Sequence, residues 1–273
     1  MVSARPVQAL ADSLSPLTAN PSQAAIFCDI DGTLAPIVNR PEDSHVREEV
    51  SVLLGRLGRR YAMVACVSGR PVAEARRLVG VGAIAYVGSH GAEILRAGAK
   101  RPDLIDAFAS WEGRVRDFAT ERADGRDFKQ LRVRLEDKGP IKAFHWRGSP
   151  DETAAETLLQ GVAQEAEGAG LAIHWGRKVL ELRPPVPVDK GQGVRTLVET
   201  TPVRAALYGG DDATDLDAFD ALDTLTAEGR LDDAIRVGVR SPEGPEAIVK
   251  RADVVVEGVR GFTDVLIALG EVH

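Results

Sequence analysis

The sequence predicts an α/β protein: a parallel sheet wrapped by helices, into which a smaller α+β domain is inserted. Three observations carry that prediction. Apolar strand-like runs alternate with helical runs toward both ends of the chain. The middle of the chain switches to strands in which apolar and polar residues alternate. All three tryptophans, Trp111, Trp146 and Trp175, fall in that middle stretch.

The elements follow in order. Residues 24–29 are uniformly apolar up to Asp29 and read as a buried strand. Residues 46–60 carry Val46, Val50, Leu53, Leu54 and Leu57 at helical spacing. Residues 61–67 form a second apolar strand. A short helix, 72–79, follows Pro71, a residue favoured in a first helical turn. A third strand is expected over 83–87. In the middle region, residues 103–123 read as a helix. Residues 131–136 alternate strictly, with Leu131, Val133 and Leu135 on one face, and 142–147 can return beside them. A helix over 152–167 precedes a strand pair, 171–175 and 178–183, around a turn at Gly176. After Pro187 the first rhythm resumes, with helix 191–199, strand 204–208, a helix after Thr214, strands 236–239 and 253–256, and a last helix 262–269. The expected boundaries are a lead-in tail over 1–23, a core made of 24–97 and 185–273, and an inserted α+β cap over 98–184.

The chain has 273 residues, 44% of them hydrophobic and 27% charged, enough apolar material for a packed core. Its net charge of −7 argues against nonspecific nucleic-acid binding. No apolar stretch approaches the length needed to span a membrane. Residues 1–22 lack the build of a signal peptide. Cys28 and Cys66 lie in apolar strands and are expected as buried free thiols. A cytoplasmic monomer acting on a small molecule, with neither nucleic acid nor membrane as partner, is therefore expected.

Polar clusters stand just after expected strands: Asp29 and Asp31, Ser68-Gly69-Arg70, and Gly210-Asp211-Asp212-Ala213-Thr214-Asp215. Lys190 opens the first helix after the insertion. The carboxyl ends of parallel strands form the ligand crevice of an open sheet. Acids, an amine and a hydroxyl at that rim suit magnesium plus a phosphate, because carboxylates hold a hard cation while donors hold phosphate oxygens. One carboxylate of the pair can attack phosphorus, and the other can move the proton. Gly32 lets the backbone turn tightly beside the phosphate.

Two other motifs do not survive inspection. A calcium loop beginning at Asp29 has its glycine too early and Arg40 at its twelfth position. The fingerprint Gly80-Val81-Gly82-Ala83-Ile84-Ala85 lies between a helix and the following strand, the reverse of a dinucleotide site.

Asp29-Ile30-Asp31-Gly32-Thr33-Leu34 resembles the first motif of the haloacid dehalogenase-like phosphatases, and Ser68, Lys190 and the 210–215 run match the remaining motifs in order. Ser68-Gly69-Arg70-Pro71, the 88–93 run, Glu136-Asp137-Lys138, Phe144-His145-Trp146-Arg147 and the 176–184 run are similar to the trehalose-6-phosphate phosphatases among them. One departure is Trp146, where tyrosine is expected in many members. The resemblance implies a HAD-like, Rossmannoid core and hydrolysis of trehalose 6-phosphate to trehalose and phosphate. It implies Asp29 as nucleophile and Asp31 as general acid/base. Magnesium would be held by Asp29, Asp211 and Asp31, the last through its backbone carbonyl. Asp212 and Asp215 would support the metal and Lys190. Ser68 and Lys190 would bind the phosphoryl group, with Gly32, Thr33, Gly69 and Arg70 around it. Glu136, Lys138 and Glu181 would hold sugar hydroxyls, with Arg147 a further candidate. The competing readings are a phosphatase for sucrose phosphate or a glycosyl phosphoglycerate, and a silent domain that binds a sugar phosphate as a regulator.

Overall fold

The computed structural model describes residues 10–38, 43–176, 178–241 and 244–271. The first nine residues of the expected lead-in, Arg40 and Arg177 lie outside the described residues. The chain divides into two compact units, one made of Met1–Asp103 and Val188–His273, the other of Leu104–Pro187. Helix α1 (Ser15–Thr18) follows helical residues at 10–13, and Leu14 and Leu17 are buried in the core of the larger unit. The described part of the expected lead-in is therefore packed.

Strand β1 (Ala24–Asp29) is buried at all six positions, as a continuous apolar run requires of a central parallel strand. Helix α2 (Glu48–Arg60) starts with two glutamates and ends with two arginines, each complementing the helix dipole at its own end. It buries Val50, Leu54 and Leu57, each side chain contributing roughly 1.5–3 kcal/mol. β2 (Met63–Val67), α3 (Val72–Val79) and β3 (Ala85–Gly88) complete the expected alternation. The expectation stopped short of β4 (Glu93–Leu95), which turns back antiparallel to β3. β5 (Asp103–Leu104) is a two-residue edge piece.

The second unit opens with α4 (Asp106–Ala123) and a short α5 (Arg126–Gln130). Here the expected strand over 131–136 begins later, at Arg134. Leu131 caps α5, and Arg132 is left-handed at φ 52°, so the first half of the alternating run is a helix end rather than a strand. The sheet of this unit runs β6-β7-β9-β8, antiparallel throughout, from β6 (Arg134–Lys138), β7 (Ile141–His145), β8 (Ala172–Gly176) and β9 (Val179–Arg183). Helix α6 (Glu152–Gly168), N-capped by Asp151, falls between β7 and β8 in the chain. Its Leu159, Val162 and Ala166 share a core with Phe144, Leu180 and Leu182.

Back in the first unit come α7 (Lys190–Glu199), β10 (Ala205–Gly210), α8 (Leu216–Ala227), β11 (Asp233–Arg240), α9 (Glu246–Arg251), β12 (Val254–Glu257) and α10 (Gly258–Glu271). The sheet order is β12-β11-β10-β1-β2-β3-β4-β5. β1 lies in the middle, and the parallel register sets Asp29 beside Val67 of β2. Cys28 and Cys66 are register neighbours in this sheet, buried and free, with burial pushing both thiols up. Among the described residues no helix is long and apolar enough to cross a membrane.

Candidate active site

The site grows from the carboxyl ends of β1, β2 and β10. Asp29 is the last residue of β1 and is 3% exposed. A carboxylate at that depth needs a cation, and Lys190, the first residue of α7, supplies one with Nζ 2.7 Å from Asp29 Oδ1. The same Nζ lies 2.7 Å from Asp215 Oδ1. Burial works against the lysine's charge, but the two aspartates outweigh it and hold the ammonium well above its ordinary range.

Asp215 is fully committed. Its Oδ1 accepts from Lys190 and from the Tyr208 hydroxyl at 2.6 Å, and its Oδ2 accepts the backbone N–H groups of Asp211 and Asp212, each at 3.0 Å. Asp212 is exposed and caps the turn Ala213–Asp215 through the Ala213 N–H at 2.7 Å. Gly210 permits this turn, because a Cβ there would strike the Asp215 side chain.

Asp29 Oδ2 is buried and has no hydrogen-bond partner among the described residues. Asp29, Asp211 and Asp215 each place a carboxylate oxygen within 4.8 Å of the others, a grouping that could hold a metal ion. Burial, then repulsion, pushes the Asp29 carboxyl well above its usual range despite Lys190. Burial and the charge of Asp215 push Asp211 up to about 6. Both carboxyls are raised by burial and by neighbouring carboxylates beyond what Lys190 offsets, and an oxygen-ligated hard cation fits such a group. Gly32, at φ 95°, turns its backbone over the Asp211 carboxylate, where any Cβ would collide.

The second acid of the opening pair points elsewhere. Asp31 receives a two-pronged arginine: Arg70 Nε lies 2.7 Å from Oδ2 and Nη2 lies 2.8 Å from Oδ1. Ser44 Oγ donates to the same carboxylate at 3.2 Å, and Arg70 Nη1 reaches Glu74. Arg70 is thus bound to acids. Ser68, 2% exposed, follows β2, and its Oγ accepts the Arg70 N–H at 3.1 Å, leaving its own proton to donate. Thr33 donates to Asp211 Oδ1 at 3.1 Å. Gly69 packs under the His90 ring, which a left-handed backbone at Ser89 and His90 carries into place. Glu93 ties that kink together by accepting from Ser89 Oγ and the Val72 N–H at 2.8 and 3.0 Å.

In the second unit the open face of the sheet carries its own polar network. Lys138 Nζ lies 3.1 Å from Glu181 Oε1 and 3.7 Å from Glu136 Oε2. Burial would raise the Glu181 carboxyl, but Arg183 and Lys138 outweigh it and hold it below its usual range. His145, in the Phe144–Arg147 run, lies 2.6 Å from Glu136. Arg147 is exposed after β7, where it and chiefly Lys178 hold Glu152 below the carboxylate range.

Sequence reasoning missed Tyr208, Ser44, His145 and Arg183. His145 and Arg183 lie inside the 144–147 and 176–184 runs without a role of their own there, and Tyr208 is a lone hydroxyl in an otherwise small and apolar strand that ends at Gly209-Gly210.

A trehalose-phosphatase family profile matches residues 27–246. A trehalose-phosphate phosphatase of Mycobacterium avium is 34% identical over 211 residues, covering 72% of this chain and 51% of its own length. An uncharacterized glycosyl hydrolase of Mycobacterium tuberculosis is 35% identical over 206 residues, 72% of this chain and 15% of the relative. The chain thus spans about half the length of the trehalose-phosphate phosphatases it matches. Among solved structures, a trehalose-6-phosphate phosphatase related protein superposes with a TM-score of 0.64 at 25% identity, covering 90% of this chain and 96% of its own. The C-terminal domain of a Candida albicans trehalose-6-phosphate phosphatase superposes with a TM-score of 0.62 at 20% identity over 98% of both chains, a likeness of fold.

Proposed function

This chain belongs to the trehalose-phosphatase family, and from that membership we propose that it hydrolyses trehalose 6-phosphate to trehalose and phosphate. One observation carries the chemistry: a buried aspartate with one oxygen clamped by Lys190 and the other left without a partner among the described residues. In this reading Asp29 attacks phosphorus through its carboxylate oxygen, and the bond from phosphorus to the sugar oxygen breaks. Asp31 gives that oxygen its proton. Asp31 then takes a proton from water as the water attacks the aspartyl-phosphate, and Asp29 is returned with release of phosphate. Arg70 and Ser44 orient Asp31. Lys190 and Ser68 hold phosphoryl oxygens, with Gly32 and Thr33 in the turn after β1 and Gly69 in the turn after β2 beside them.

Asp29 and Asp211, with the Asp31 backbone carbonyl, would hold magnesium, and Asp212 and Asp215 would steady the ligands. The ion supplies charge neutralisation between an anionic nucleophile and an anionic substrate. The unit Leu104–Pro187 is the cap, and its Glu136, Lys138 and Glu181 take sugar hydroxyls. Arg147 belongs to this set less well, since the carboxylate its charge acts on is Glu152, which Lys178 already engages. The buried thiols accord with a reducing cytoplasm, and action as a monomer is part of the same reading.

Phosphate release from a panel of sugar phosphates, with magnesium and with a chelator, tests it. Trehalose 6-phosphate should be turned over best, and Asp29→Asn should abolish turnover. Equal rates on glucose 6-phosphate would remove the disaccharide assignment, and activity on none would leave the regulator reading.

A further inference from the structure

We propose that the smaller unit carries a second saccharide site, on the face of its sheet opposite Glu136 and Glu181, which takes a neutral hexopyranose ring against Trp175. The strand register separates the two faces. His174 stands opposite Glu181 and Trp175 opposite Leu180. Glu181 in turn stands opposite Ala143, and Ala143 opposite Glu136. Successive side chains point to opposite faces, so Trp175 shares the face of Leu180 and Phe144, which the helices cover.

There the covering is incomplete. β8 is an edge strand, and Trp175 remains 39% exposed while Trp146 is 4% exposed. The two rings meet edge to face, 5.9 Å apart at 83°, so the buried indole fixes the exposed one. Beside them is a cavity of about 410 Å³, lined by both tryptophans with Glu152, Thr153, Glu156 and Lys178. Volumes of about 300–1,000 Å³ are usual for small-molecule sites.

The lining selects the ligand class. A pyranose offers one apolar face of C–H groups and a rim of hydroxyl donors. The cavity offers an aromatic wall and a rim of carboxylate acceptors. Glu152 is engaged, accepting from Lys178 Nζ at 2.5 Å and from the Gly148 N–H at 3.1 Å. The exposed side chain of Glu156, one helical turn on, has no hydrogen bond or ion pair among the described residues, and so can accept from a ligand. Lys178 cancels one of the two negative charges, and Arg147 acts on Glu152 from nearby. A rim left with one uncompensated carboxylate favours a neutral sugar over an anion. Neither Trp175 nor Glu156 has any part in the proposed phosphatase chemistry, and binding here needs no turnover.

The test uses the full chain and methyl α-glucoside as probe. Saturation-transfer NMR should show magnetisation reaching the ring C–H protons. Calorimetry should give a millimolar affinity that falls at least tenfold in Trp175→Ala and in Glu156→Gln, while surviving in Glu181→Ala. Phosphate release from a small aryl phosphate should be unchanged in Trp175→Ala, showing that the chain folds. If that variant does not fold, Glu156→Gln alone decides. Absence of transfer to the parent protein would overturn the proposal. So would binding lost in Glu181→Ala but kept in Trp175→Ala and Glu156→Gln, because the sugar would then lie on the open face.

Discussion

Lys190 and Asp29 meet at 2.7 Å with side chains only 4% and 5% exposed. A buried pair of this kind contributes little net stability, but removing one partner costs about 3–5 kcal/mol because the other charge is left alone. Lys190→Met should therefore lower unfolding free energy by about that much at neutral pH. It should also lower phosphate release by a factor on the order of a thousand, since three or four kcal/mol of charge stabilisation corresponds to two to three decades of rate. Chemical denaturation and steady-state assays check both. A loss of rate with stability unchanged would mean that Asp29 does not depend on this lysine for its burial.

The opening pair of acids, Ser68 and the 210–215 run were legible because each is a local event at a strand end, where the chain itself supplies the spacing. Lys190 was legible only in their company. Tyr208 and Ser44 were not: their partners, Asp215 and Asp31, are set by how separate segments pack, and no period in the sequence records that. The alternating Leu131, Val133 and Leu135 misled because the last residue of a helical turn and the start of β6 happen to continue one another. Trp175 and Glu156 come together only through β8 and α6, which the sequence places but does not bring into contact.

Asp211 offers a pH test of the metal site. Its carboxyl lies at about 6 in the folded protein against 3.8 for the free group. A raised carboxyl opposes folding above that range, and this penalty fades as the pH falls through 6 toward 3.8. A bound cation needs the ionised form. From pH 5 to pH 7 its ionised fraction rises roughly tenfold, so Asp211's share of the stabilisation given by saturating magnesium should grow by about 1.4 kcal/mol, on top of the growth from the raised Asp29 carboxyl. Thermal unfolding with magnesium and with chelator at both pH values measures this increment. Asp211→Asn should remove it, and an increment independent of pH would mean that Asp211 is not a ligand.

Gly32 and Gly80 form a matched pair. Both have positive φ, 95° and 72°, but a Cβ on Gly32 would collide with the Asp211 carboxylate, whereas one on Gly80 meets nothing within 4 Å. Gly80→Ala should cost on the order of 1 kcal/mol of stability and leave activity intact. Gly32→Ala should bear a similar backbone cost and in addition lose magnesium-dependent stabilisation and turnover. Metal titration of both variants separates strain from displacement of Asp211.

Tyr208 acts through Asp215. Burial, and then the charge of Asp215, hold its hydroxyl well above the ordinary range, so it stays a donor at every working pH. Tyr208→Phe takes one of four hydrogen bonds from a buried carboxylate that also anchors Lys190. The expected cost is about 1–3 kcal/mol of stability. Asp215 keeps Lys190 and two backbone N–H groups, so the lysine should shift rather than leave. Turnover should then fall about tenfold with KM nearly unchanged, because the lysine's alignment matters most as charge develops on the transferring phosphoryl group. A rise in KM at constant kcat would instead place the effect on ground-state binding, and Tyr208 would then be only a structural support of the β10 turn.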